Sequence, residues 1–256
     1  MARTERDDLG RAVTLPAQVR RVVSLVPSLT EAIAATDPGL LVAATDWCTH
    51  PADLDVERVR GTKNPDTRRI AELRPDLVVV NKEENREIDV RRLEQAGVPV
   101  WVTVIEDVDT ALTSLDRLLT VALRRPVPPW LTEAHRSLDA AAPAARTSAL
   151  VCIWRDPWMV VGSRTFATDL LARIGVANVY ANHSDRYPKQ DLDQLLAAGA
   201  DLVVLPDEPY VFTPADGPEC FPGDRVRLVS GRLLTWYGPS LATAVETLRE
   251  QLGLPG

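Results

Sequence analysis

Short apolar runs and longer amphipathic stretches alternate along this chain, the rhythm of strands and helices in an α/β protein. Residues 21–26 (R-V-V-S-L-V) predict the first strand, after which Pro27 and Ser28 punctuate. Ser28-Leu29-Thr30-Glu31 fits a capping box opening a helix that runs to about residue 35, where Asp37-Pro38-Gly39 breaks it. Strands are expected at 41–45, 77–81 and 100–103, and helices at 67–73, 87–96 (closed by Gly97) and 108–123. Arg124-Arg125-Pro126-Val127-Pro128-Pro129 is a strong stop. A helix over 130–142 follows, ended by Pro143. Strands at 149–153, 202–205 and 225–229, with helices at 166–174, 192–198 and 240–252, then repeat the pattern.

One stretch is written twice. I-A-E-L-R-P-D-L-V-V-V, beginning at Ile70, returns as L-L-A-A-G-A-D-L-V-V-L, beginning at Leu195, 125 positions later. Each copy reads as a helix end, a turn residue, an aspartate (Asp76, Asp201) and an apolar run suited to a strand buried on both faces of a parallel sheet. The expected fold is therefore two Rossmann-like α/β lobes, each with a central, mainly parallel sheet, joined by a connecting backbone helix. The expected division is 1–125, 126–147 for the connector and 148–256, with a ligand cleft between the lobes.

The net charge of −7, from 29 basic and 36 acidic residues, argues against a general nucleic-acid binder. No apolar run approaches the roughly 20 residues of a membrane span, so no membrane insertion is expected. The first twenty residues carry Arg3, Glu5, Arg6, Asp7, Asp8, Arg11 and Arg20 and no apolar core of an export signal. Read as printed, that predicts a cytoplasmic protein, or an extracytoplasmic one if the chain is a processed form. Cys48, Cys152 and Cys220 are far apart and include no C-x-x-C pair, which fits reduced thiols.

Asp7-x-x-Gly10-Arg11-x-Val13-x-Leu15-Pro16, the run from Arg21 through Pro27 to Glu31, and Leu73-Arg74-Pro75-Asp76-Leu77-Val78 together resemble one family. It is the class III substrate-binding proteins, or helical-backbone metal receptors, and the likeness is greatest to the cobalamin-binding branch. The resemblance implies a two-lobed binding protein for cobalamin, iron-siderophores, haem or free metal ions, usually exported and docked on an ABC permease through one acidic residue per lobe. Aligned on the repeat, those docking positions are Arg68, which reverses the charge, and Asp193, which keeps it. The resemblance also places Tyr187 and the Trp236-Tyr237-Gly238 turn at the ligand. Two tryptophans of the cobalamin branch are replaced by Thr62 and by the Asn81-Lys82 stretch.

Ligands of open α/β sheets bind outside the carboxyl ends of the strands, which here are segments 46–51, 81–86, 154–163 and 206–210. Trp47, Trp154 and Trp158 fall in them, three of six tryptophans among 13 aromatic residues, and large rings on loops suit a flat ligand. Trp101 and Trp130 read as packing residues instead. Glu83 shifted by the repeat gives Glu208, so Glu83-Glu84 and Asp207-Glu208 are candidates for a cation or a ligand amine. His50, beside Cys48, is the candidate metal ligand, with His183 weaker and His135 an ordinary helix residue. Lys63, Lys82, Arg155 and Arg164 suit ligand carboxylates. No G-x-S-x-G, P-loop or G-x-G-x-x-G is present. The expected function is a non-catalytic cytosolic binder of a metal chelate or flat cofactor: a corrinoid, haem, a ferric siderophore or a divalent metal. The alternatives are the binding component of an ABC importer, and an enzyme or metal-insertion accessory using the same cleft.

Overall fold

In the computed structural model, which describes residues 1–139 and 147–254, the chain forms two compact units. The first comprises Met1–Ile105, Asp109–Thr132 and Tyr237–Pro239, and the second Glu106–Val108, Glu133–Trp236 and Ser240–Gly256.

The first unit begins with a hairpin, β1 (Arg3–Arg6) and β2 (Ala12–Leu15). Its sheet is built from β3 (Val22–Ser24), β4 (Leu41–Ala44), β5 (Glu57–Arg58), β8 (Leu77–Asn81) and β9 (Val100–Thr103), in the order β5-β4-β3-β8-β9 and parallel throughout. A small hairpin, β6 (Arg60–Gly61) with β7 (Asn64–Pro65), follows β5. The helices are α1 (Pro27–Thr36), α2 (Thr67–Glu72), α3 (Glu87–Gln95) and α4 (Val108–Asp116), the last continuing as a π-helix over Arg117–Ala122. Val78, Val80, Val100 and Val102 pack with Ile70 and Leu93 into one core, so the uninterrupted apolar strands are those covered by helices.

Helix α5 (Pro129–Leu138) carries the chain into the second unit, and the end of the expected connector helix, 140–142, lies outside the described residues. There β10 (Thr147–Trp154), β12 (Val176–Asn178), β13 (Leu202–Pro206) and β14 (Val226–Val229) pair in parallel, and β11 (Met159–Val160) folds back antiparallel on β10. The helices are α6 (Phe166–Arg173), α7 (Leu192–Ala197), α8 (Gly231–Thr235) and α9 (Leu241–Leu252).

The repeat is longer in three dimensions than in sequence. Asp66 caps α2 by accepting the Arg69 amide, and Asp191, at the matching place, caps α7 in a reciprocal box with Gln194. Arg74 (φ 47°) and Gly199 (φ 69°) make the same left-handed turn after those helices. Asp76 then accepts the amides of Arg20 and Arg21, while Asp201 accepts the amide and hydroxyl of Ser148. Each aspartate thus ties the start of its strand to the neighbouring strand. The bonds to Ser148 hold the Asp201 carboxyl below the ordinary aspartate range. A depressed carboxyl stabilises above its unfolded pKa and loses that contribution as pH falls through the folded one. Asp201→Ala is therefore expected to lower the urea midpoint at pH 7, with the deficit closing below about pH 4; a deficit that persists in acid contradicts this role.

One local expectation is corrected. Ser28 does not cap α1: the cap residue is Val26, without a side-chain bond, and Pro27 occupies the first helical position. Proline's fixed φ and missing N–H suit that position, so the helix starts two residues earlier than a Ser28 cap would set it, and Ser28 is buried inside it.

Candidate functional site

All four predicted loop segments lie at the carboxyl ends of parallel strands, because the strands that set them are where the apolar runs placed them. In the first unit, β4 delivers Trp47 and His50, and β8 delivers Glu83 and Glu84. The second loop is closed by two asparagines. Asn81 accepts the Glu83 amide (2.9 Å), and Asn85 accepts the Asn81 amide while donating to the Leu25 and Thr62 carbonyls. Lys63 donates to the Glu83 carbonyl. The asparagines escaped the sequence reading, although a flanking N-x-x-x-N is its visible trace.

Within this frame the Tyr237 hydroxyl donates to Glu84 Oε1 at 2.8 Å. The turn fits closely there, since a Cβ on Gly238 would stand 3.1 Å from the Ser28 carbonyl. Burial pushes the half-buried Glu84 carboxyl up to about 7, against the lowering effects of the Tyr237 bond and Lys63; Glu83 adds to the rise. Burial, and then the neighbouring Glu84, push the Tyr237 phenol well above its ordinary range. Trp47 remains 66% exposed, and its indole Nε1 would stand 3.3 Å from a Cβ placed on Gly61.

Cys48, close to the candidate metal ligand His50 in sequence, is a core residue. The thiol is turned into the core, fully buried, between the hydroxyls of Thr30 (3.0 Å) and Thr45 (3.1 Å), and burial raises its pKa. The His50 ring meets the Thr49 hydroxyl, 3.1 Å from Nδ1. Among the described residues no group of three His, Cys, Asp or Glu side chains is arranged to hold a metal ion.

In the second unit the carboxyl edge is more occupied than the sequence implied. Trp158 stacks on Phe212 at 5.9 Å, meets Phe221 edge-on, and is 7% exposed within the core. The ring expected to stack on a ligand thus packs against these two phenylalanines. Arg155 pairs with Asp216 and Glu219 and lies over the Trp158 ring. Trp236 is also buried, at 8%, under the Arg232 guanidinium. Trp154 keeps an open face, 43% exposed, with its edge toward Tyr210, whose hydroxyl donates to Asp216. Tyr187, 40% exposed, sits on a loop pinned by the Gly162 amide to the Arg186 carbonyl and by the Val160 amide to that of Pro188. Glu208 is partly buried against Gly231 at the start of α8. Of the predicted residues, Trp47, Glu83, Glu84 and Tyr237 belong to the first unit, where Tyr237 meets Glu84, and Trp154, Tyr187 and Glu208 belong to the second.

The family profile of periplasmic binding proteins matches residues 22–208. The vitamin B12-binding protein of Vibrio campbellii is 24% identical over 188 residues, covering 71% of this chain and 68% of that protein. Among solved structures, a periplasmic heme-binding protein from Pseudomonas aeruginosa has a TM-score of 0.74 at 20% identity, covering 92% of this chain and 93% of the other. Nickel-bound Ceue of Helicobacter pylori has a TM-score of 0.81 at 13% identity, covering 98% and 88%. At those identities the structures speak for the fold alone. The family match takes in β3 through the loop after β13, hence both copies of the repeat, and the chain belongs to the periplasmic binding protein family, of the class III substrate-binding type that its opening motifs resemble.

Proposed function

We propose that this protein is a non-catalytic binder of a flat metal chelate, of the corrinoid, haem or ferric-siderophore class, held by the carboxyl-edge loops. The carrying observation is the set of open rings on those loops: Trp47, Trp154 and Tyr187 keep 40% or more of their surface in water. Large exposed aromatics at a fold's ligand edge favour an apolar, planar partner. The relative named for vitamin B12 supports the same ligand class. Spectral titration with cyanocobalamin, haem, a ferric siderophore and Ni(II) tests it, and failure of all four to bind below about 100 µM ends the reading. Trp47→Ala and Trp154→Ala are each expected to weaken the bound probe by about tenfold, the scale of an aromatic contact at a binding hot spot; unchanged affinity in both removes the rings from the site.

The proposal places the protein in the cytoplasm, without a permease. Arg68, on α2, has its side chain 91% exposed and pairs along its own helix with Glu72. A positive charge there opposes the acidic docking that the family resemblance implies. Asp193, at the matching position of α7, favours the importer alternative. Fractionation of cells expressing the native gene separates the two, and recovery outside the cytoplasmic membrane overturns the cytosolic reading.

A further inference from the structure

Glu84 stands apart from the other acids of the first unit's carboxyl edge. Glu83, its neighbour, is exposed, whereas Glu84 is drawn inward and keeps one oxygen on the Tyr237 hydroxyl. The other oxygen makes no hydrogen bond among the described residues. The charged and titratable groups facing it come from every element around it. Lys63, from the β6–β7 turn, attracts its charge and Glu83, from the same loop, repels it. Tyr237 comes from the 237–239 segment, and beyond Gly238 lies Glu31 of α1. Lys63 and Glu83 therefore act on Glu84 with opposite sign, and one further negative charge appears here when Glu84 loses its proton. That loss falls near neutrality, because burial holds the proton on up to about pH 7.

We propose that the charge this edge offers to a ligand is set by proton uptake at Glu84, so that an anionic ligand binds more tightly to the protonated protein and less tightly once the proton has left. Tyr237 is the positioning residue. Its hydroxyl fixes the carboxyl in one rotamer and, as a donor to the ionised form, lowers the pH at which the proton leaves. The inference rests on the function proposed above and adds a regulation of the same edge: the chelate is taken up at mildly acidic pH and released at mildly alkaline pH.

Two measurements on the full chain test it, one of which needs no ligand. The first compares the urea midpoint of the wild type with that of Glu84→Gln from pH 4 to pH 9. A raised carboxyl means that the folded protein holds the extra proton between the unfolded value near 4.5 and the folded value of about 7. Wild-type stability should therefore fall relative to Glu84→Gln across that window and run parallel above it. In Tyr237→Phe the divergence should continue to higher pH. Parallel wild-type and Glu84→Gln profiles throughout overturn the inference, whatever the protein binds.

The second measures haem affinity, with its two carboxylates, beside that of cyanocobalamin, which carries no net charge. From pH 6 to pH 8 the wild type should lose roughly three- to tenfold in haem affinity relative to Glu84→Gln, the size expected for one added charge several ångströms away under solvent screening. The cyanocobalamin ratio should stay flat. A haem ratio that does not change with pH overturns the proton control while leaving the binding function standing. If neither probe binds at any pH while the stability profiles diverge, the chelate-binding function falls, and the ligand-control inference falls with it.

Discussion

Trp101→Ala is expected to remove about 3–5 kcal/mol of stability, the range for deleting a large aromatic from a closed core. Trp101 lies in β9, paired with Val79 of β8, and none of its surface reaches solvent. The guanidinium of Arg117 sits 5.6 Å from its ring centroid, and the same arginine donates to Asp8 and to the Arg6 carbonyl of the N-terminal hairpin. Removing the ring thus opens a cavity under the sheet edge and loosens the side chain that ties the hairpin down. Trp101→Phe separates volume from polarity. The indole N–H is buried with no acceptor among the described residues, so phenylalanine gives up part of the volume but also a donor that was costing free energy. Its loss should stay below about 1.5 kcal/mol. Urea unfolding at pH 7 measures both, and an alanine variant within about 1 kcal/mol of wild type would mean that the site collapses around the gap.

Buried parallel strands are the easiest elements to read from this sequence. β8 and β9 fall at the expected bounds, because a strand covered on both faces reads as a continuous apolar run, closed here by Asn81 and Thr103. The N-terminal hairpin is different. Its turn is made by Asp7, whose carboxylate accepts the amides of Leu9 and Arg11 and pairs with the Arg11 guanidinium, with Gly10 at φ 75°. The charged residues that look like solvated surface in the sequence are its structural parts. Helix α8 is only five residues long and β12 three, below the length at which a period can be seen.

The candidate site was legible as a set of loops and much less as a set of side chains. Strand ends fix where a loop leaves the sheet. Whether its side chains face water depends on residues far away in sequence. Arg155 is claimed by Asp216 and Glu219, more than 60 positions on, and Trp158 by Phe212 and Phe221. Tyr237 reaches Glu84 across 153 positions. The repeat, which matched Glu83 with Glu208, passed over Glu84, whose distinction comes from that distant phenol and from burial. Local pattern carries no information on such pairings.

Gly231→Ala should disturb the second unit's carboxyl edge more than any truncation of an exposed side chain there. The need for glycine at this position is spatial rather than conformational. A Cβ would stand 2.5 Å from both Cγ and the carbonyl oxygen of Glu208 and 2.8 Å from its amide nitrogen, closer than real Cβ contacts come. Two of the three atoms are backbone, so no rotamer change relieves the clash and the loop after β13 has to shift. The same shift strains the bond from the Gly231 amide to Asp207 Oδ1, now 2.6 Å, which anchors that loop to the start of α8. Overpacking of this kind costs about 1–3 kcal/mol, and the loop carries Glu208 with it. Chelate affinity should therefore fall even at temperatures where the variant is fully folded. Gly39→Ala is the matched control, since the nearest atom to its added Cβ is a side-chain oxygen at 3.4 Å. It should leave both stability and affinity within about 0.5 kcal/mol of wild type. If Gly231→Ala binds the chelate as the wild type does, the loop after β13 takes no part in holding it.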